Sequence, residues 1–104
     1  MTAATPEQEA EKLTRRMTIV NKRGLHARAS ARFVETAGGF DAVVEVEKDG
    51  ITVGGTSIMG LMMLAASPGC FITVHVSGPE AGAAMDALDD LVSAGFGEDQ
   101  GSAA

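Results

Sequence analysis

Between Met17 and Val92 the spacing of apolar residues switches back and forth between a two-residue and a three-to-four-residue repeat, with turn residues at most of the switches. Alternate side chains of a strand share a face, whereas positions i, i+3, i+4 and i+7 share a helix face, so the switches mark short strands and helices in turn. Met17 and Ile19 share one face of a short strand over 17–20, and residues 21–24 form a polar turn. The spacing then predicts a helix over 27–37 whose inward stripe is Ser30, Phe33, Val34 and Ala37, stopped by Gly38-Gly39. A strand over 42–48 turns at Asp49-Gly50 into a partner over 51–53. A short helix over 57–65 ends at Ser67-Pro68-Gly69, and Ile72, Val74 and Val76 alternate in the last strand. Pro79, read as a first-turn residue, opens a final helix with Ala81, Ala84, Met85, Leu88, Leu91 and Val92 inward and Gly95 as its stop.

The order is therefore βαββαβα. Glu45, Glu47, Thr73 and His75 keep one sheet face wet, which predicts a four-stranded antiparallel sheet with three helices on its other face: a two-layer α+β domain. The chain of 104 residues suits one domain. Residues 1–13 are expected to be a flexible extension with at most a marginal helical turn over 6–12, 14–97 the folded domain, and 98–104 a frayed tail.

A net charge of −6 argues against general nucleic-acid binding. Seven of the eight Lys and Arg residues nevertheless lie between Lys12 and Arg32, which is either an ordinary solvated patch or a local site for an anion or an acidic partner. One cysteine, Cys70, excludes an intramolecular disulfide and suits a reducing cytoplasm; no apolar run spans a membrane, and the polar start is unlike a secretory signal.

Two segments carry chemistry. In Gly24-Leu25-His26-Ala27-Arg28-Ala29-Ser30 a histidine stands at the mouth of a helix, where free amides and the helix dipole favour anions. Arg28 adds a planar donor fork suited to phosphate oxygens, and a neutral imidazole is a competent nucleophile toward phosphorus. Taken alone, such a histidine is more often a polar residue at a helix start with no chemistry. In Ser57-Ile58-Met59-Gly60-Leu61-Met62-Met63-Leu64, Ser57 is placed as an N-cap. A short helix on a sheet buries one side only, so Leu61 and Leu64 serve the core and leave Ile58, Met59 and Met62 either as an adaptable docking patch or as residues covered by the longer helices.

Together the Gly-Leu-His-Ala-Arg run at 24–28, the Ser-Ile-Met-Gly-Leu-Met run at 57–62 and the element order resemble the HPr family of phosphocarrier proteins of the phosphoenolpyruvate-dependent phosphotransferase system. The resemblance covers about 17–97 and includes the nitrogen-related NPr branch. It implies that His26 takes a phosphoryl group on Nδ1 from enzyme I and passes it to an EIIA-type protein, with Arg28 and the Ala27 backbone attending the phosphate. It also implies that Ser57 matches the serine modified by HPr kinase/phosphorylase in some bacteria, and that Ile58, Met59 and Met62 form a partner-docking surface. A cytoplasmic monomer without cofactor or metal is expected. Ala29 stands where many members have proline; the same fold is expected, because proline is tolerated in a first turn and alanine is the better helix former.

The competing readings are a regulatory module that signals through its phosphorylation state, a small enzyme using His26 as a base, and a purely structural domain. The second lacks a companion carboxylate near His26 in sequence, and the third leaves both motifs unused. Among the remaining residues, His75 reads as a plain exposed histidine, Cys70 as an inert packed thiol, and Asp86, Asp89 and Asp90 as a solvated helix face.

Overall fold

A computed structural model describes residues 12–98; the stretches 1–11 and 99–104, which hold most of the expected extension and tail, lie outside the described residues. The elements are β1 (Lys12–Thr18), α1 (Ala27–Gly38), β2 (Val43–Lys48), β3 (Ile51–Gly54), α2 (Ile58–Met63), β4 (Phe71–Ser77) and α3 (Ala81–Ser93), followed by a 3₁₀ turn at Gly95–Gly97. The four strands form one antiparallel sheet in the order β1-β4-β2-β3. The predicted βαββαβα order and two-layer α+β architecture hold.

The core forms where strand alternation meets helix stripes. Val44, Val46, Ile72, Val74 and Val76 point from the sheet toward Phe33, Ala37, Leu61, Leu64, Met85, Leu88 and Val92. Each large apolar side chain so buried contributes about 1.5–3 kcal/mol. Glu45, Glu47, Thr73 and His75 lie on the opposite face, partly or fully exposed. Asp49 and Gly50 both have positive φ, 53° and 83°, the twist a two-residue hairpin needs between β2 and β3.

Three expectations are corrected. β1 begins at Lys12 rather than Met17, so Lys12 and Leu13, assigned to the extension, belong to the sheet and pair with Ser77 and Val76. Its apolar alternation is interrupted by Arg15, which reaches Asp89 at 2.8 Å and Asp86 at 3.5 Å on α3; those two aspartates are thus partnered rather than merely solvated. Pro79 precedes the final helix instead of opening it. Glu80 is the N-cap, tied to Asp41 by a side-chain bond of 2.6 Å from the Asp41 amide and a backbone bond of 3.0 Å. Finally, Glu98, assigned to the frayed tail, is held by bonds to His26 and Asn21, after a turn that the completely buried Phe96, with φ of 60°, anchors.

Candidate functional site

The loop between β1 and α1 is braced before it delivers His26. Gly24 has φ of +63°, and a Cβ there would lie 2.2 Å from the Ala66 carbonyl oxygen, so only glycine fits both the turn and the close approach. The next residue, Leu25, donates its amide to that same oxygen at 2.9 Å. Asn21, fully buried, donates from Nδ2 to the Gly24 carbonyl at 2.9 Å.

His26 follows as the N-cap of α1, in extended conformation, with its carbonyl accepting the Ser30 amide at 2.9 Å. Its side chain caps nothing in the helix. The amides of Ala27, Arg28 and Ala29 therefore stand at the open end of a twelve-residue helix whose dipole favours negative charge. Ala29 retains an amide that a proline at this position would lack, and its methyl group is completely buried.

Arg23, His26, Arg28, Arg32, Gly97 and Glu98 line one cleft of about 320 Å³. Among the described residues no carboxylate forms a salt bridge with Arg23, Arg28 or Arg32. The cleft thus presents three guanidinium groups beside the amide end of a helix, an arrangement suited to a phosphate-sized anion.

The carboxylate that looked absent in sequence arrives from the far end of the chain. Glu98 bonds His26 Nε2 through Oε2 and accepts from Asn21 Nδ2 through Oε1 at 3.1 Å. Burial pushes the Glu98 carboxyl up, but the hydrogen bonds from His26 and Asn21, with the charges of His26 and Arg23, outweigh it and hold the group below the usual glutamate range. The imidazole Nδ1 has no hydrogen-bond partner among the described residues. An imidazole held at one nitrogen with the other free, in a cationic cleft, can act as a nucleophile toward an anionic electrophile.

Sequence reasoning missed Glu98 and Asn21, and read Arg23 and Arg32 only as part of a basic cluster open to an anion, not as residues of this cleft. No local pattern announces Glu98: Phe96, between two glycines just past α3, anchors the turn only because its ring is buried in the folded core. Arg32, four residues after Arg28, shares its helix face.

Beside this cleft, α2 packs against α1. Ser57 caps α2, its Oγ accepting the Gly60 amide at 2.9 Å, and it is exposed. Leu61 and Leu64 face the core while Ile58, Met59 and Met62 are exposed; Met63, not expected in the patch, is as exposed as Met59, at 73% and 72%.

His75 is not isolated. Strand register sets it across from Thr14, whose Oγ1 lies 3.0 Å from Nδ1, while Nε2 lies 3.3 Å from Glu47. Cys70 is half-buried rather than packed away, and hydrogen bonds with Ser67 hold its thiol below the usual cysteine range, outweighing the opposite effect of burial.

A family model described as the PTS HPr component phosphorylation site matches residues 13–94. The phosphocarrier protein HPr of Cupriavidus necator is 49% identical over 86 residues, which cover 83% of this chain and 97% of that protein. The phosphocarrier protein NPr of Shewanella violacea is 41% identical over 87 residues, covering 84% of this chain and 96% of that one. Among solved structures, HPr-C-His from Thermoanaerobacter tengcongensis superposes with a TM-score of 0.79 at 42% identity, covering 83% of this chain and 97% of that chain. With its sheet order, its histidine-bearing helix start and these relatives agreeing, the chain belongs to the HPr family of phosphocarrier proteins of the phosphotransferase system.

Proposed function

We propose that the protein carries a phosphoryl group on Nδ1 of His26, accepting it from phosphorylated enzyme I and donating it to an EIIA-type protein. The observation that carries this reading is an Nδ1 with no hydrogen-bond partner among the described residues, at the amide end of α1 in a cleft that also holds Arg23, Arg28 and Arg32. In the accepting step the Nδ1 lone pair forms a bond to phosphorus as the partner's nitrogen–phosphorus bond breaks, and the departing nitrogen keeps the electron pair. The Nε2 proton stays in place, so no proton has to move. Catalysis in such a transfer is chiefly alignment and charge stabilisation. Arg28 and the Ala27 amide steady the phosphate oxygens.

On this reading the protein is a cytoplasmic, monomeric carrier rather than an enzyme. Its exposed Ile58, Met59 and Met62 serve as the apolar part of the docking surface, with Met63 extending it. Ser57 is the regulatory position: its hydroxyl is accessible at a helix start beside that surface, so a phosphate added by HPr kinase/phosphorylase would charge the docking site and slow transfer from enzyme I. Among the described residues no helix is long and apolar enough to cross a membrane.

Single-turnover transfer from labelled phospho-enzyme I tests the carrier role. Arg28→Ala is expected to slow acceptance by roughly 10- to 100-fold, the loss of one charged donor from a transition state. An unchanged rate would remove Arg28 from the mechanism. The 41% identical NPr relative keeps the nitrogen-related branch as a second reading. Capture of sugar-specific EII components, against capture of a regulatory EIIA alone, decides between the branches.

A further inference from the structure

We propose that Glu98 is a positioning residue that selects the tautomer of His26, holding the proton on Nε2 so that Nδ1 carries the reactive lone pair. The inference rests on the carrier reading and adds to it the reason the chain closes a turn over the cleft. A neutral imidazole has one donor and one acceptor nitrogen, and an ionised carboxylate only accepts. Glu98 Oε2 bonds Nε2, so Nε2 must donate and Nδ1 must be bare.

The carboxylate is itself fixed from two sides. Its other oxygen, Oε1, accepts from Asn21 Nδ2 at 3.1 Å, and the same amide nitrogen donates to the Gly24 carbonyl at 2.9 Å. Both partners of that nitrogen are acceptors, so the Asn21 amide cannot be reversed. On the chain side, Gly95, Phe96 and Gly97 all have positive φ, 67°, 60° and 75°, and Phe96 is completely buried. Two of those three residues are glycines, which take this conformation at little cost, and the third is pinned by its ring. The turn therefore delivers one side chain to one nitrogen. When Nδ1 bonds phosphorus the ring gains positive charge, and the adjacent carboxylate offsets it, as the aspartate does for the histidine of a hydrolase triad.

This arrangement makes an order of effects that a merely structural residue would not. In Glu98→Gln the amide oxygen must face Asn21 Nδ2, because the alternative sets two donors against each other. The amide NH₂ of the new side chain then faces His26 and donates to Nε2, which moves the ring proton to Nδ1 and covers the nucleophile. Glu98→Ala merely releases the ring. The near-isosteric change should thus be the more damaging one.

The test is ¹⁵N NMR of the imidazole in the unphosphorylated protein, taken at mildly alkaline pH, with phosphoryl acceptance from enzyme I measured in parallel. Wild type should show a protonated Nε2 and a bare Nδ1, Glu98→Ala a mixture, and Glu98→Gln a protonated Nδ1. Acceptance should fall by roughly tenfold or more in Glu98→Gln, and less in Glu98→Ala. A protonated Nε2 retained in Glu98→Gln, or Glu98→Gln accepting phosphate faster than Glu98→Ala, would overturn the proposal. Failure of the carrier reading would look different: the ring spectra would follow the predicted order while no variant, wild type included, took up phosphate.

Discussion

Gly24→Ala places a methyl group where the site's supporting loop has no space for one. The φ of +63° lies in the left-handed region, which costs an L-residue about 1–2 kcal/mol. The added Cβ would also sit 2.2 Å from the Ala66 carbonyl oxygen and 3.0 Å from the Ser67 Cα, both backbone atoms. Relieving that overlap means moving the acceptor that now holds the Leu25 amide at 2.9 Å. A buried amide left without its partner costs about 1–3 kcal/mol. The two effects add to roughly 3 kcal/mol, on the order of 15 °C in Tm for a domain of this size. Gly24→Asn separates them, because asparagine visits the left-handed region readily while its Cβ meets the same oxygen; it should still lose about 2 kcal/mol. Urea and thermal unfolding followed by circular dichroism measure both variants. A Gly24→Asn protein as stable as wild type would refute the close-approach argument, and a Gly24→Ala loss under about 1 kcal/mol would refute the whole estimate.

The other predictions concern the turn after α3, the α2 cap and the carboxylate. Phe96→Ala empties a fully buried site and should cost about 3–5 kcal/mol in urea denaturation; a loss near zero would mean the turn is not part of the cooperative fold. Ser57→Ala removes the acceptor of the Gly60 amide and should cost about 1 kcal/mol while leaving His26 phosphorylation intact; loss of phosphorylation would show that the two sites are coupled. Because the folded protein holds the Glu98 carboxyl below its ordinary value, its contribution is full above the unfolded glutamate pKa and is lost as pH falls through the lowered one. Urea midpoints of wild type should therefore drop more on acidification across that window than those of Glu98→Ala, and parallel curves would contradict it.

Elements whose own side chains repeat with a clear period were legible in the sequence. Val44 and Val46 on β2, and Ile72, Val74 and Val76 on β4, face one core, and Asp49-Gly50 marks the hairpin by chemistry alone. The start of β1 was not legible, because Arg15 occupies an inward register to reach Asp86 and Asp89, and pairing with β4 holds the strand together. His26 and Arg28 could be read because they lie two residues apart at a helix start. Glu98 could not: it stands 72 residues away, and nothing local to His26 announces it. Only the packing of Phe96 brings it back, an interaction that depends on the tertiary core rather than on any local pattern. His75 likewise gained Thr14 and Glu47 as neighbours from strand register, which composition does not encode.

Whether His26 carries the phosphoryl group is decided by incubating wild type and His26→Ala with enzyme I and phosphoenolpyruvate and weighing the intact proteins. Wild type should gain one acid-labile phosphate and His26→Ala none. A wild type left unmodified by several enzyme I homologues, or a His26→Ala protein that still gains the phosphate, would contradict the carrier reading.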